Sequence, residues 1–258
     1  MWLRFSRCDS ELPMSDSKYA ILGDIHANLE ALDAVLLDAN EKGITHYACV
    51  GDVVGYNANP LECIEKVREM GFDCVRGNHD HYCSSSSDED LSSFHPLAAA
   101  VIAWTSERLS DDQRLWLKRL RYRKVIENFM IVHATLDMPE KWAYMFDDLD
   151  AMTNFSYQIT PVCFHGHTHM PITFEFTGRV KTLTNSSLTL ERGRKYFINV
   201  GSVGQPRDGD PRAAYAIYDA KDRTVEIRRV EYDIETAQAR IIEAGLPTWL
   251  AERLAIGK

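Results

Sequence analysis

The sequence predicts an α/β fold, and three segments in its N-terminal third carry this prediction. Lys18–Asp24 and His46–Asp52 each have the apolar run of a buried strand, and each ends in Gly-Asp. Phe72–Asp80 begins in the same way and runs into polar residues. Segments with helical spacing separate the three strands, and this βαβαβ order is typical of a parallel sheet covered by helices.

The two helices between these strands have clear boundaries. The first has apolar residues at helical spacing and a glycine at its end: Leu29, Leu32, Leu36, Ala39 and Gly43. The second begins at Asn59, with Pro60 at its first helical position and Glu62 three residues after the cap. Both helices are expected to pack on the sheet.

Two further helices are predicted in the middle of the chain. They cover about Pro96–Arg108 and Asp111–Leu120, and Ser110 and Gln113 form a capping box for the second. Strands are predicted over Lys124–His133 and Thr160–His167.

The C-terminal part changes to strands joined by turns, from Ile172 to about Tyr232. Residues 215–232 alternate around a polar turn and predict a hairpin. A helix over about Ile234–Ala244 and a short helical segment after Pro247 close the chain.

No linker is visible, so residues 18–258 are expected to form a single domain. Residues 1–17 are expected to be a poorly ordered extension, in which Met14 is an alternative start to Met1.

Composition limits the classes of partner. The chain has 258 residues and a formal net charge of -9, which argues against broad binding to nucleic acid or to an anionic membrane. No apolar run has the length of a membrane span, and the N-terminus has no continuous apolar segment of a signal peptide. A cytoplasmic location is therefore expected. A small anionic substrate is still compatible with the charge, because bound metal ions reverse the field locally.

Polar side chains able to bind metal follow each predicted strand of the core. They are Asp24, His26, Asp52, Asn78, His79, His133, His167 and His169. The carboxyl ends of parallel strands meet at one edge of a sheet, where ligands bind. If the chain stays extended past Phe164, His167 and His169 point to the same side and aim two rings at one point. The sequence therefore predicts a metal site assembled from several strand ends.

The ligand types narrow the choice of metal. Apart from His79, these residues supply two carboxylates, one amide oxygen and four imidazoles. This set suits Mn, Fe, Zn, Co or Ni better than Ca or Mg, which prefer oxygen ligands. Seven ligands are too many for one open catalytic ion and match two ions that share a carboxylate. A glycine directly precedes four of the ligands and is expected to let the backbone turn sharply at the strand end: Gly23, Gly51, Gly77 and Gly166.

The motif series "GDIHAN", "GDVVGY", "GNHD", "VHAT" and "GHTH" resembles the calcineurin-like metallophosphoesterase superfamily over about Lys18 to Gln205. The segments "INVGSVGQPRDGD" and "AAYAIYD" are similar to its small, single-domain prokaryotic phosphodiesterase branch. The resemblance implies a four-layer αββα sandwich, in which two mixed β-sheets are flanked by helices.

The resemblance also implies roles for the site residues. It gives one set of ligands to each of two ions: Asp24, His26 and His169 to the first, and Asn78, His133 and His167 to the second. Asp52 resembles the carboxylate that bridges them. His79 resembles a catalytic histidine that binds no metal and assists the leaving oxygen. Asp80 either holds the His79 ring or caps the loop. His165 is expected to lie buried behind the ligands, because the ligand set is already complete.

Three further residues are candidates for substrate binding. Tyr56 follows the bridging carboxylate and is expected to form part of a substrate wall. Arg207 either donates two hydrogen bonds to a phosphate or pairs with an acid such as Asp208 or Asp210. Asn28 either contacts the substrate or caps the helix that follows it.

The function implied is a dinuclear-metal-dependent phosphoesterase, which hydrolyses a phosphodiester or phosphomonoester by direct attack of a hydroxide that bridges the metals. Within the same superfamily, a dinucleoside polyphosphate hydrolase and a protein serine/threonine phosphatase are the alternatives. A different class is a non-catalytic scaffold, as in the retromer subunit, whose metal motifs are degraded. The complete ligand set here favours the enzyme.

The expected partner is a small phosphorylated molecule, with nucleotides among the candidates, and neither membrane nor long nucleic acid. The oligomeric state stays open.

Overall fold

The computed structural model of the protein describes residues 17–85 and 95–258. The predicted N-terminal extension, residues 1–17, lies outside the described residues except for Ser17. Two mixed β-sheets pack face to face, and helices cover their outer faces. This arrangement confirms the four-layer αββα sandwich.

From Lys18 to Cys74 the strands and helices follow each other in the βαβαβ order that the sequence predicts. The strands are β1 Lys18–Leu22, β2 His46–Cys49, β3 Asp73–Cys74, β4 Arg123–Ile126, β5 Phe129–Val132, β6 Val162–His165, β7 Ile172–Phe176, β8 Val180–Leu183, β9 Ser187–Thr189, β10 Lys195–Asn199, β11 Ala213–Asp219 and β12 Thr224–Val230. The helices are α1 Leu29–Glu41, α2 Pro60–Glu69, α3 Asn78–Ser84, α4 Pro96–Arg108, α5 Asp111–Arg119, α6 Asp148–Tyr157, α7 Ile234–Glu243 and α8 Thr248–Glu252. Within the described ranges, none of the helices is both long and apolar enough to cross a lipid bilayer.

Each sheet combines parallel and antiparallel pairs. The first has the order β3-β2-β1-β11-β12-β9, and its strands β1, β2 and β3 are parallel. The second has the order β4-β5-β6-β10-β7-β8, and its strands β5, β6 and β10 are parallel. The predicted hairpin of residues 215–232 is the antiparallel pair β11 and β12. The parallel strands of both sheets direct their carboxyl ends to the site described below.

One hydrophobic core lies between the sheets, where aromatic rings pack edge to face. The Phe129 ring lies 4.9 Å from that of Tyr19 and 5.7 Å from that of Phe164. Helices α1 and α2 bury Leu32 and Ile64 against the outer face of the first sheet, and α6 packs Phe155 on the second. These layers hold the ends of the strands in fixed positions.

Three elements differ from the sequence prediction. The strand predicted over Phe72–Asp80 is only two residues long, and α3 begins within it. The strand predicted over Lys124–His133 is a hairpin of β4 and β5, with Glu127 in the turn at φ 47°. Helix α6 was not predicted, because only two of its buried residues, Ala151 and Phe155, are apolar, the buried Asn154 is polar, and Leu149 is exposed.

Candidate metal centre

The loops after β1, β2, β3, β5 and β6 bring the predicted polar residues to one point between the two sheets. All of them except Asn78 are buried: Asp24, His26, Asp52, His79, His133, His167 and His169. Backbone hydrogen bonds tie the first two loops together, since Asp24 N donates to Gly51 O and His26 N to Asp52 O. The predicted convergence of these side chains is therefore present in the structure.

One group of ligand atoms lies at the end of β1 and β6. The Nε2 atom of His169 lies 3.2 Å from Oδ1 of Asp24 and 3.1 Å from Nε2 of His26. The Nε2 atom of His26 is 3.8 Å from the same Asp24 oxygen. A transition metal with bonds of about 2.0–2.2 Å to nitrogen and oxygen fits among donors this close.

The second group lies around His133, at the end of β5. Its Nε2 atom is 3.0 Å from Oδ1 of Asn78 and 3.1 Å from Nδ1 of His167. His167 thus presents Nδ1 to the centre, whereas His26, His133 and His169 present Nε2.

Asp52 lies between the two groups. Its Oδ2 atom is 3.6 Å from Nε2 of His26 and 3.3 Å from Nε2 of His133. Its Oδ1 atom accepts a hydrogen bond from the backbone N–H of His79 at 2.8 Å. One carboxylate therefore reaches both groups, as a bridging ligand must.

Backbone carbonyl groups hold the outer nitrogen of each of the four imidazoles. The pairs are His26 Nδ1 with Val54 O at 3.0 Å, His133 Nδ1 with Val50 O at 3.0 Å, His169 Nδ1 with Gln205 O at 2.6 Å and His167 Nε2 with Trp142 O at 2.9 Å. A carbonyl only accepts, so the outer nitrogen carries the proton and the inner nitrogen presents a lone pair. This outer contact fixes the tautomer of a metal-binding histidine and orients its ring.

The protonation states of the buried histidines and carboxylates favour the binding of a cation. Burial lowers the pKa of His26 and of His169, and lowers that of His167 to about 3. Burial also acts to lower the pKa of His133, but the carboxylates, Asp52 foremost, outweigh it and raise the pKa to about 9. Neutral His26, His167 and His169 are thus in the protonation state that binds a divalent cation, whereas His133 would release a proton when a metal ion binds.

The backbone at the site is unusual. Five of the predicted ligands, none of them glycine, adopt positive φ: Asp24 at 51°, His26 at 49°, Asp52 at 54°, His167 at 68° and His169 at 61°. Such conformations cost free energy and cluster at functional sites. The prediction that His167 and His169 point the same way from an extended strand is wrong, because β6 ends at His165 and the two rings join different groups.

The glycines at the strand ends serve chiefly to allow close approach. A Cβ atom on Gly77 would lie 2.0 Å from Oδ1 of Asp52, and one on Gly166 would lie 2.1 Å from Oδ2 of Asp24. Of the four glycines expected to turn the backbone, only Gly51 has a positive φ, at 103°. The expected sharp turn is therefore made mainly by the ligand residues themselves.

Asp80 caps a loop and does not hold the His79 ring. Its carboxylate accepts hydrogen bonds from the backbone N–H groups of Asp52 at 2.8 Å, Val53 at 2.9 Å and Gly77 at 3.0 Å. Burial raises the pKa of Asp80 to about 7, and the charge of Asp52 adds to the rise. The catalytic contact expected for Asp80 is thus corrected to a structural one, which positions Asp52.

His79 lies at the mouth of the centre, in the first turn of α3. Its ring is 5.0 Å from that of His26 and 4.4 Å from that of Tyr56. Its Nδ1 atom is buried against Gly55 and has no hydrogen-bond partner in the part of the chain that the structure describes. Burial lowers the pKa of His79, and the charge of Arg207 adds to this while Asp52 opposes it.

Arg207 faces the histidines and does not pair with the neighbouring acids. Its guanidinium group lies 5.4 Å from the Tyr56 ring and donates through Nη2 to Oε1 of Gln205 at 2.8 Å. Asp208 and Asp210 instead pair with other arginines, Arg229 and Arg212. The salt bridge considered for Arg207 is therefore not formed with these acids.

Two further predictions concern buried residues. Asn28 caps α1, since its Oδ1 accepts from Ala31 N at 3.1 Å and its Nδ2 donates to Gly204 O at 3.0 Å. The expected substrate contact of Asn28 is corrected, because both polar groups are occupied and the residue is buried. His165 is buried behind the ligands, as expected, with its ring 4.7 Å from that of Phe197.

Sequence reasoning missed the segment 142–146. The Trp142 carbonyl accepts from His167, and the Tyr144 ring stacks on the His167 ring at a centroid distance of 4.2 Å. A carbonyl leaves no sequence signal, because every residue has one. The alternating aromatic residues of "WAYMF", which lie outside any predicted strand, were the available clue.

The sequence of residues 18–223 matches the profile of the Calcineurin-like phosphoesterase superfamily domain. An uncharacterized protein of Methanocaldococcus jannaschii is 40% identical over 254 residues, which are 95% of this chain and 100% of that protein. The phosphodiesterase YfcE of Escherichia coli K12 is 26% identical over 212 residues, which are 78% of this chain and 87% of YfcE.

A solved structure shows the same arrangement. The metallophosphoesterase from Sphaerobacter thermophilus superposes with a TM-score of 0.84 at 39% identity, over 95% of this chain and 100% of that one. The matched profile covers the loops that carry all seven predicted ligands. This chain therefore belongs to the calcineurin-like phosphoesterase superfamily.

Proposed function

We propose that the protein is a dinuclear-metal-dependent phosphoesterase that hydrolyses phosphodiester bonds. The observation that carries the proposal is the placement of Asp52, whose Oδ2 lies within 3.6 Å of His26 Nε2 in one donor group and 3.3 Å of His133 Nε2 in the other. The phosphodiesterase activity named for YfcE supports the diester over the monoester, and family membership supports phosphoester hydrolysis in general.

The donor set fits two transition-metal ions. Asp24, His26 and His169 would hold one ion, and Asn78, His133 and His167 would hold the other, with Asp52 shared. Two such ions, among Mn, Fe, Zn, Co and Ni, would supply Lewis acidity that activates water and neutralises phosphoryl charge. The chain's part is to orient the donors, which it does through the carbonyl contacts of the four rings.

His79 would assist the leaving oxygen. Its ring lies beside the His26 ring, and its backbone N–H is fixed on Asp52 at 2.8 Å. With Nδ1 packed against Gly55, Nε2 is the nitrogen that would donate a hydrogen bond or proton to the leaving group. No covalent enzyme intermediate is needed in this scheme.

Arg207 and Tyr56 would bind the substrate beside His79. Within the described residues, the guanidinium group donates to the neutral amide of Gln205 and has no acidic hydrogen-bond partner, so it retains N–H groups for an anion. Tyr56 packs between this group and the His79 ring. The pair would therefore orient a phosphoryl oxygen at the mouth of the centre.

Assays that separate metal binding from turnover test the proposal. The metal-loaded protein should hydrolyse bis-p-nitrophenyl phosphate faster than p-nitrophenyl phosphate. Asp52→Asn should lose most of this activity together with bound metal, whereas Asp33→Asn, which alters an exposed carboxylate paired with Lys66, should change neither. Stoichiometric metal without cleavage of either ester would revive the scaffold alternative. A preference for the monoester would favour a phosphatase.

A further inference from the structure

Two aromatic rings extend outward from the candidate metal centre. The Tyr144 ring lies on that of His167 at 4.2 Å and 24°, and the Phe146 ring is parallel to Tyr144, at 5.5 Å and 7°. We call Tyr144 and Phe146 the aromatic wall. It begins in contact with a predicted metal ligand and continues away from it.

The wall is open to solvent. Tyr144 is 52% exposed and Phe146 54% exposed, although large aromatic side chains usually contribute to a core. Neither ring belongs to the hydrophobic cluster on the outer face of the second sheet, which Met145 and Phe155 cover instead. The exposure of these rings next to a catalytic centre has the character of a binding surface.

The backbone fixes the position of the wall. Trp142 has a left-handed conformation, with φ 54°, and its carbonyl accepts from His167 Nε2 at 2.9 Å. Its ring also lies 5.8 Å from that of His133. The segment is thus attached to two predicted ligands, which places the wall at a constant distance from the phosphoryl site.

The wall and Arg207 lie beside different donor groups of the centre. The Arg207 guanidinium group is 5.4 Å from the Tyr56 ring, which lies 6.5 Å from the ring of His169, whereas Tyr144 stacks on His167. A ligand held between them would have its anionic part near Arg207 and a planar apolar part on the rings.

We propose that the aromatic wall of Tyr144 and Phe146 binds the nucleobase of a nucleotide substrate by stacking. The proposal rests on the proposed function, in which the phosphoryl group lies at the metal centre. A planar ring system stacks on an aromatic side chain with any base, and such contacts contribute about 1–3 kcal/mol each. The wall therefore selects nucleotides over phosphate esters that carry no ring.

The length of the wall favours a base over a simple aryl group. A phenyl ring bonded directly to the phosphate oxygen stays at the centre and reaches at most Tyr144. A nucleobase is separated from the phosphate by a ribose, so it reaches the more distant Phe146. Phe146 contacts none of the predicted ligands, which makes it the residue to change.

The test is calorimetric binding to the manganese-loaded full chain, which does not depend on turnover. AMP and ribose 5-phosphate share phosphate and sugar and differ by the base. We expect AMP to bind about tenfold more tightly. Phe146→Ala should remove most of this difference without affecting ribose 5-phosphate or phenyl phosphate. Leu149→Ala, which removes a nearby side chain that is 80% exposed, should change none of the three affinities.

Three results would overturn the proposal. They are equal affinities of the wild type for AMP and ribose 5-phosphate, an equal loss of both in Phe146→Ala, and a loss confined to phenyl phosphate. Failure of the proposed function is a separate outcome, because it would appear as intact AMP binding without hydrolysis of any ester. Metal content measured in Tyr144→Ala shows in addition whether stacking on His167 supports the metal site.

Discussion

The Nε2 atoms of His26 and His169 face each other at 3.1 Å, although the Nδ1 atom of each ring is hydrogen-bonded to a backbone carbonyl. In that tautomer both facing nitrogens present lone pairs, and two lone pairs at this distance repel. Only a cation placed between them, or a proton on one of them, relieves the repulsion. Because burial lowers the pKa of both rings, a metal ion is the better partner at neutral pH.

Metal binding should therefore stabilise the fold. Addition of Mn²⁺ or Zn²⁺ to chelator-treated protein is expected to raise the Tm, by mass action on the folded state. At a free metal concentration of 100 Kd the gain is about 2.7 kcal/mol. Differential scanning calorimetry with Mg²⁺ as the comparison checks this, and a larger shift with Mg²⁺ would contradict the mixed nitrogen and oxygen site.

Gly77→Ala should abolish metal binding through sterics alone. Its φ is -93°, which alanine adopts without strain, but the added Cβ would lie 2.0 Å from Oδ1 of Asp52. Asp52 must then move away from both donor groups. Gly43→Ala is the matched control, because its Cβ meets nothing within 4 Å and its cost of about 1 kcal/mol is confined to the positive φ of 71°. Metal analysis and urea denaturation distinguish the two effects.

Asp80→Asn should weaken metal binding without any contact to the metal or to His79. Both carboxylate oxygens accept from backbone N–H groups, Oδ2 from Asp52 and Gly77 and Oδ1 from Val53. An amide keeps only one acceptor oxygen, so its NH₂ group would face backbone donors in either orientation. Loss of a residue that orients a ligand typically costs 10–100-fold in metal affinity. Competition with a fluorescent chelator measures this, and unchanged affinity would show that the loop after β2 holds its shape without Asp80.

His79→Ala should lower kcat by a factor of about 10²–10⁴ and leave the metal content at the wild-type value. Retention of metal is the decisive measurement, since a nitrogen of His79 also lies within 4.8 Å of donor atoms of His26 and Asp52. A parallel loss of metal and activity would make His79 a ligand. His79→Gln is the companion variant, because its amide keeps a hydrogen-bond donor.

An ion pair distant from the site should make stability depend on pH. Arg228 on β12 and Tyr215 on β11 both donate to the Asp38 carboxylate of α1. Burial acts to raise the pKa of Asp38, but these hydrogen bonds outweigh it and hold the pKa below 3.8. A depressed pKa stabilises the fold above the unfolded value, and this contribution is lost as the pH falls through the folded value.

Asp38→Asn should accordingly reduce the free energy of unfolding by about 2 kcal/mol at pH 7. The difference from wild type should shrink as the pH falls below 3.8. Urea denaturation in the presence of a chelator at each pH removes any contribution from metal release. Asp33→Asn, at an exposed pair with Lys66, should show a small difference. A difference for Asp38→Asn that does not change with pH would rule out the electrostatic explanation.

The sequence predicted the site better than it predicted the elements that carry it. Asp24, Asp52 and His133 were found because each follows an apolar strand, and the ends of parallel strands meet. The orientation of His167 and His169 was not predictable, because two left-handed residues replace the extended chain. Sequence spacing carries no information on such conformations when glycine is absent.

Residues with two plausible roles were resolved only by their hydrogen bonds. Asp80 and Asn28 have side chains suited both to catalysis and to capping, and the structure shows capping for both. Arg207 had acidic neighbours in sequence, but Arg212 and Arg229 occupy them. Local sequence does not rank a neighbouring acid against a partner from another strand, such as Arg229 on β12, which pairs with Asp208.

The hydrogen bonds that join the loops after β1 and β2 affect how the protein can diversify. The backbone N–H groups of Asp24 and His26 donate to the carbonyl groups of Gly51 and Asp52, so the conformation of each loop depends on that of the other. A loop transplanted from a relative would lack the matching loop to which its own backbone is hydrogen-bonded. Substrate specificity should therefore diverge among homologues in segments outside the two paired loops, such as residues 142–146. The paired loops should change only together.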